Sequence, residues 1–151
     1  MKNAASVITA FVLTALSACQ SAEPWQRHTI DNSSRGADGV RMADVNGDGH
    51  LDITTGWEEG GVVRVYVNPG PSKAAAIWPA ATVGTVKSPE DAVFADLDGD
   101  GSEDVVSSCE GKTRTIFFHW APKSPDKYLL SESWKTKAVP CTVKQQSWMF
   151  A

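Results

Sequence analysis

The sequence predicts an all-β protein built from an internal repeat of about 50 residues. An Asp-rich segment at 44–52 returns at 96–104, and six of the ten positions in 43–52 are identical in 95–104. Hydrophobic and polar residues alternate around both segments, which is typical of β-strands. The pattern Trp-x4-[Ile/Val] begins at Trp25, Trp78 and Trp134, and this fixed place in the period favours packing over sugar stacking. A period made of short strands indicates a β-propeller or a related array.

Each Asp-rich segment has oxygen-bearing side chains at positions 1, 3, 5 and 9. Carboxylates this crowded repel one another unless a cation lies between them, and calcium accepts six to eight oxygen ligands. Glycine follows the third ligand, where a sharp turn favours positive φ, and the backbone carbonyl of position 7 is a further predicted ligand. The alternative without a bound metal is a pair of acidic surface turns, in which Asp and Gly are ordinary residues. The predicted ligands of two Ca²⁺ sites are Asp44, Asn46, Asp48, His50 and Asp52, and then Asp96, Asp98, Asp100, Ser102 and Asp104.

These segments are not EF-hands, because position 12 is Thr55 or Ser107 where an EF-hand needs Glu, and no helical pattern flanks them. Strands are predicted instead on both sides. A hairpin turn at 58–61, one helical turn at 73–77, a link at 84–90 and a turn at 110–111 connect them. The predicted strands lie at 39–43, 51–57, 62–67, 91–95, 104–106 and 115–118, and segments 128–131 and 134–139 close the second unit.

The repeats resemble the FG-GAP/VCBS type, which is related to the calcium-binding blades of integrin alpha chains. The resemblance is carried by Ala-Asp-x-[Asn/Asp]-Gly-Asp-Gly-x-x-Asp-[Ile/Val] and covers about residues 25–151. The Phe-Gly and Gly-Ala-Pro sequences that name the family are absent. The resemblance implies four-stranded propeller blades with the Asp loop between two strands. It also implies a module that binds protein or carbohydrate, in which calcium is structural.

About two and a half such repeats fit between residues 25 and 151. Segment 148–151 matches 92–95 at an offset of 56, so the sequence stops where a third loop is due. A propeller closes with four to eight blades, and an open arc exposes strand edges. A fragment of a larger propeller is therefore expected in preference to a ring assembled from several copies.

The N-terminus reads as a targeting segment. Residues 1–18 are predicted to be a signal peptide, with an apolar run at 4–16 that is too short for a comfortable membrane span. Leu-Ser-Ala-Cys at 16–19 resembles a bacterial lipoprotein signal, which implies lipidation of Cys19, a tether to residue 24 and the repeat domain at 25–151. Gln20 favours the outer membrane or cell surface. The alternative is an ordinary secretory signal cleaved near Ala18 or Ala22, which gives a periplasmic or secreted protein.

Composition restricts the partners. The 151 residues carry a net charge of −4, and seven of the 18 acidic residues are predicted calcium ligands. Because the acidity is local and no basic surface is evident, nucleic acid is not an expected partner. Contact with a membrane is expected only through the lipid anchor, and the identity of the protein or carbohydrate ligand is left open.

No catalytic residue is predicted, since the chain lacks a nucleophile elbow, a phosphate-binding loop and a dinucleotide fingerprint. The competing class is a propeller enzyme that acts on polysaccharide, because fold alone does not decide function. The side chains of His28, His50 and His119 share no metal-ligand spacing and are predicted to be surface or incidental. Cys109 and Cys141 are able to pair in an oxidising compartment, but their spacing does not decide it.

Overall fold

The computed structural model describes residues 25–140, which form two four-stranded antiparallel sheets and two short 3₁₀ helices. The all-β prediction is confirmed, and the two repeated sheets are consistent with propeller blades. The predicted signal peptide, Cys19, the tether and the half repeat from residue 141 lie outside the described residues. Within 25–140, no helix is long and apolar enough to cross a membrane.

The first sheet, sheet A, follows chain order. Gly61 N donates to Trp57 O at 2.7 Å, which closes the predicted hairpin turn at 58–61. Every other connection also joins strands that are neighbours in the sequence, so the sheet is a simple meander. Its strands are β1 (Ala37–Ala43), β2 (Asp52–Trp57), β3 (Val62–Tyr66) and β4 (Ala80–Thr85).

Sheet B repeats this meander. Its strands are β5 (Pro89–Ala95), β6 (Asp104–Cys109), β7 (Thr115–Trp120) and β8 (Lys135–Ala138). β6 is buried along its whole length, from Asp104 through the apolar and small residues of 105–109. The two sheets are in equivalent register, because β2 pairs with β3 through Ile53 and Tyr66, and β6 pairs with β7 through Val105 and His119.

Three connections differ in detail from the sequence prediction. β4 ends at Thr85 and β5 starts at Pro89, so the first two and the last two residues of the predicted link at 84–90 belong to strands. The predicted helical turn at 73–77 is a hydrogen-bonded turn, in which Lys73 N donates to Gly70 O and Ala76 N to Lys73 O. Segment 128–131 forms no strand, because 128–130 connects the 3₁₀ helices Pro125–Lys127 and Ser131–Ser133 and residue 131 begins the second of them.

The core lies between the two sheets. Valines and small residues that alternate along β3, β4 and β6 are removed from water and pack together, as the period-2 pattern predicts. Burial of such side chains is the main favourable contribution to folding. The fully or almost fully buried members include Val63, Val65, Ala81, Val83, Ala92, Val105 and Cys109.

Two of the three repeated tryptophans contribute to packing. Trp134 is 6% exposed, lies 5.5 Å from the Tyr128 ring and donates through Nε1 to Tyr128 O. Trp78 is half-buried and donates to Ala74 O. Trp25 is 98% exposed, so the packing prediction is wrong for this residue within the described part of the chain.

His119 joins the two sheets, and the prediction that it is a surface or incidental residue is wrong. Its ring is fully buried, with Nε2 at 2.8 Å from Ser107 Oγ and Nδ1 at 2.9 Å from Thr136 Oγ1. A Cβ on Gly84 of β4 would lie 2.1 Å from His119 Cε1. Glycine at position 84 therefore leaves the space that the imidazole fills.

The tautomer of His119 follows from its neighbours. Thr136 Oγ1 donates its single proton to Val83 O at 3.0 Å, so it can only accept from the imidazole. Nδ1 therefore carries the proton, and Nε2 accepts from the Ser107 hydroxyl. A neutral ring satisfies every partner, and burial lowers the pKa of His119 to about 4.

Candidate metal centre

Each Asp-rich loop connects the first and second strands of its sheet. Loop 1 (44–52) runs from β1 into β2, and loop 2 (96–104) runs from β5 into β6. Gly49 and Gly101 have φ of 84° and 85°, so the predicted positive φ is confirmed at both positions. The meander thus places the two loops at equivalent ends of the two sheets.

The first ligand position organises each loop from inside. Asp44 Oδ1 accepts from Gly47 N at 2.8 Å and from Asp48 N at 3.1 Å, and Asp44 Oδ2 accepts from Gly49 N at 2.9 Å. Asp96 accepts from the three equivalent amides of loop 2 at 2.8–3.1 Å. The backbone amides therefore fix the orientation of this carboxylate before any cation is considered.

The last ligand position is buried and connects the loop to the third strand. Asp52 is fully buried, and its two oxygens accept from Val45 N at 3.0 Å and Asn68 N at 2.7 Å. Asp104 is 3% exposed and accepts from Leu97 N at 3.2 Å and Ala121 N at 2.7 Å. Burial, followed by the neighbouring loop carboxylates, raises the pKa of both Asp52 and Asp104. A cation placed beside them would favour their ionised forms.

Positions 3 and 5 are exposed or half-buried, whereas position 7 is half-buried in loop 1 and buried in loop 2. Asp48 Oδ1 accepts from His50 N at 2.8 Å, and this backbone hydrogen bond lowers the pKa of Asp48. Ser102 N makes the same bond to Asp100 at 2.9 Å and lowers the pKa of that carboxyl. Asn46 Nδ2 donates to Asp48 Oδ2 in loop 1, whereas Asp98 at the matching position gives loop 2 a fourth carboxylate among its ligand positions.

Of the two loops, loop 2 brings its carboxylate oxygens closer together. One oxygen each from Asp96, Asp98 and Asp104 lies within 4.8 Å of the others. An all-oxygen donor set of this kind suits a hard cation such as Ca²⁺ or Mg²⁺ rather than a soft metal. Asp100 is outside this group, and its Oδ2 lies 3.5 Å from Lys123 Nζ. The residues present therefore fit the predicted cation.

Several contacts of this centre could not be inferred from the loop sequence. Asn68 and Ala121 supply backbone amides from beyond the third strand, and Lys123 supplies a cation from the following turn. The sequence does contain a pattern that marks the two backbone amides, because Asn68 follows Asp52 by 16 residues and Ala121 follows Asp104 by 17. This near-identical spacing is part of the repeat.

A second carboxylate group lies at the other end of the sheets. One oxygen each of Asp38, Glu58 and Glu90 lies within 4.8 Å of the others, and Glu90 Oε2 is buried without a hydrogen-bond partner. Burial, then the charges of Glu110, Asp38 and Glu58, raises the pKa of Glu90. The repeat explains this group, because Glu90 and Glu110 follow Asp38 and Glu58 by 52 residues each.

The remaining predicted residue in the described range is Cys109. It is buried at the end of β6, and burial raises the pKa of its thiol to about 12. Cys141 lies outside the described residues, so their pairing stays a prediction.

A comparison with protein families identifies one matching model, described as FG-GAP-like repeat, over residues 44–107. The match begins at the first ligand of loop 1, includes all of loop 2 and ends within β6. Comparisons with curated proteins and with solved structures give no match.

Proposed function

Because residues 44–107 match the model of an FG-GAP-like repeat, we propose that this protein is a calcium-stabilised, extracytoplasmic β-propeller repeat module that binds protein or carbohydrate. The observation that carries the proposal is the duplicated oxygen-lined loop in the same place on both sheets. Calcium would be held by the predicted ligands of loops 1 and 2, and its chemical contribution is to neutralise their mutual repulsion.

The chain's own residues already perform most of the ordering. The backbone amides of each loop orient Asp44 and Asp96, and the third strand of each sheet orients Asp52 and Asp104. Asp48 and Asp100 each accept one backbone hydrogen bond and have a second contact, with Asn46 and Lys123 respectively. Their role in the proposal is to bind the cation. By analogy with extracellular calcium modules, the dissociation constant is roughly 0.1–1 mM.

The extracytoplasmic part of the proposal is supported by the first 19 residues of the sequence. A short basic start, an apolar run and Leu-Ser-Ala-Cys fit lipidation of Cys19 and anchoring at a bacterial outer membrane or cell surface. Metabolic labelling with a fatty acid tests this, and Cys19→Ser must abolish the label. An unlabelled wild-type chain recovered from the periplasm or medium would contradict the anchor.

Calcium dependence is tested by thermal unfolding of Asp48→Ala and Asp100→Ala. With calcium at tenfold its dissociation constant, each bound ion stabilises the wild type by about 1.4 kcal/mol. We therefore expect each variant to unfold at a lower temperature in millimolar calcium and to match the wild type closely in EDTA. Glu132→Ala is the control, since it removes an exposed carboxylate outside the loops.

The pattern of the result is decisive. If Asp48→Ala and Asp100→Ala differ from the wild type equally with and without calcium, the loops are acidic turns without a cation. The binding role is tested separately with immobilised polysaccharides and proteins. Retention without turnover supports a binding module, whereas release of reducing ends or unsaturated sugars identifies an enzyme.

A further inference from the structure

A cleft of about 370 Å³ lies beside loop 2, between the end of β7 and the start of β8. This volume is within the range of small-molecule sites. Its walls combine loop carboxylates with an indole, a hydroxyl and two ammonium groups, contributed by Asp100, Trp120, Lys123, Ser133 and Lys135. No sequence motif indicates this site, because the residues that line it lie up to 37 positions apart in the chain.

Trp120 forms the aromatic wall of the cleft. The indole is half-buried at the end of β7 and contacts Phe118 edge-on, with ring centroids 5.6 Å apart and an interplanar angle of 66°. This contact restrains the ring while part of it still lines the cleft. A restrained indole offers an apolar surface with a polar edge, which suits the C–H face and hydroxyl rim of a sugar ring.

The two lysines supply positive charge. Lys123 Nζ lies 3.5 Å from Asp100 Oδ2, but the Lys123 side chain is 84% exposed. An ion pair this exposed contributes little, so the ammonium group can turn to another anion at small cost. Lys135 begins β8 and is exposed. A ligand carboxylate is the natural partner for such ammonium groups.

The charge of the lining depends on calcium. With the ligand Asp96 counted, the carboxylates of Asp96, Asp98, Asp100 and Asp104 contribute −4, and Lys123 and Lys135 contribute +2, which leaves −2. A divalent cation in loop 2 changes the sum to 0. Calcium therefore removes the net repulsion of an anionic ligand, and salt screens this effect.

The first repeat has none of this chemistry at the matching positions. Asn68 and Ala121 are equivalent, because each donates its backbone amide to the last Asp of its loop at 2.7 Å. By this alignment, Val67 stands where Trp120 does and Gly70 where Lys123 does. The repeated tryptophans place Pro79 opposite Lys135. At these aligned positions, the second repeat has the aromatic and basic residues and the first repeat has not, although Arg64 and Trp78 line a separate cleft in the first repeat.

We propose that this cleft binds a carboxylated sugar unit of an acidic polysaccharide. The sugar ring lies against Trp120, and its carboxylate lies between the lysines and the cation of loop 2. The proposal rests on the calcium binding proposed above and deepens it by naming the ligand class. A sugar acid is favoured over an acidic peptide because the cleft pairs its ammonium groups with a restrained indole.

The test is calorimetric titration of the full chain in calcium with an oligogalacturonate. We expect binding that EDTA abolishes, and no binding of an uncharged cello-oligosaccharide of the same length. Lys135→Ala should weaken the affinity about tenfold, and Lys135→Arg should retain most of it. Trp120→Ala should abolish binding. Lys112→Ala is the matched control, because it removes an exposed lysine outside the cleft and should leave the affinity unchanged.

These measurements distinguish a failure of the calcium proposal from a failure of the cleft proposal. If calcium raises the unfolding temperature but oligogalacturonate does not bind, the cleft proposal is wrong and the calcium proposal stands. Binding that is equally tight in EDTA, or unaffected by Lys135→Ala, places the sugar elsewhere and also overturns the cleft proposal. A poly-glutamate peptide that binds as tightly as the oligogalacturonate would overturn the assignment of a sugar.

Discussion

Tyr66 and His119 occupy equivalent positions in the two sheets, one opposite Ile53 and the other opposite Val105. Tyr66 Oη donates to Asp31 Oδ2 and accepts from Trp57 Nε1, both at 2.8 Å. His119 bonds instead to hydroxyl groups within its own sheet and fills the space above Gly84 of the other sheet. The repeat thus keeps a buried polar side chain at this position, while the neighbouring segment determines which one it is.

The environments of these two side chains explain the difference. Tyr66 faces the segment before β1, where Asp31 also pairs with Arg64, and hydrogen bonds lower the pKa of Asp31 to about 2 against the opposing effect of burial. A long side chain with one hydroxyl reaches that carboxylate. His119 faces another sheet, where a flat ring with two nitrogens satisfies partners on both sides. Equivalent backbone positions therefore serve different interfaces.

The largest expected effect tests whether the loops are equivalent despite this difference. Asp52→Ala and Asp104→Ala should each lower the free energy of unfolding by about 4 kcal/mol, because each leaves two buried or partly buried backbone amides without an acceptor. Urea unfolding in EDTA measures this without any contribution from calcium. Asp52→Asn and Asp104→Asn are matched controls that keep one acceptor oxygen. A loss below 1 kcal/mol in only one repeat would show that the loops are anchored differently.

The second-largest expected effect is a pH dependence of stability that arises from His119 in sheet B. The pKa of His119 is about 4 in the folded protein against 6.5 when unfolded, so the stability that its neutral form contributes is complete above pH 6.5. That stability is lost as pH falls from 6.5 to 4 and amounts to about 3 kcal/mol. His119→Gln retains hydrogen-bonding atoms without the titration, and its stability should fall less over this range. Exposed His28→Gln is the control, and a wild-type profile in His119→Gln would contradict the assignment.

The smallest effect concerns the other member of the pair. Tyr66→Phe should lower the free energy of unfolding by about 2 kcal/mol, because it leaves the buried Trp57 N–H without an acceptor and removes a donor to Asp31. Chemical unfolding at neutral pH measures this. Unlike His119→Gln, Tyr66→Phe should not alter the stability profile between pH 6.5 and 4. A change in that window would mean that the two interfaces are coupled.

Sequence reasoning succeeded where the determining information is local. The glycine turns of both loops, the turn at 58–61 and most of the short strands follow from spacing within about ten residues. It failed for His119, because a lone histidine carries no pattern and its partners Ser107 and Thr136 come together only once β6, β7 and β8 pair. The cleft was missed for the same reason, since Trp120, Lys123 and Lys135 converge only once β7 and β8 pair.

The meander order of the strands has a consequence for how the chain is synthesised. Every strand pairs with one that is adjacent in sequence, so sheet A is complete once residues 37–85 have emerged from the ribosome or a translocation channel. Pairings of short sequence separation form quickly and cost little loop-closure entropy. Sheet A can therefore serve as a template on which β5 docks before β8 is made. The imidazole of His119, held by Thr136 of β8, would be among the last contacts to form.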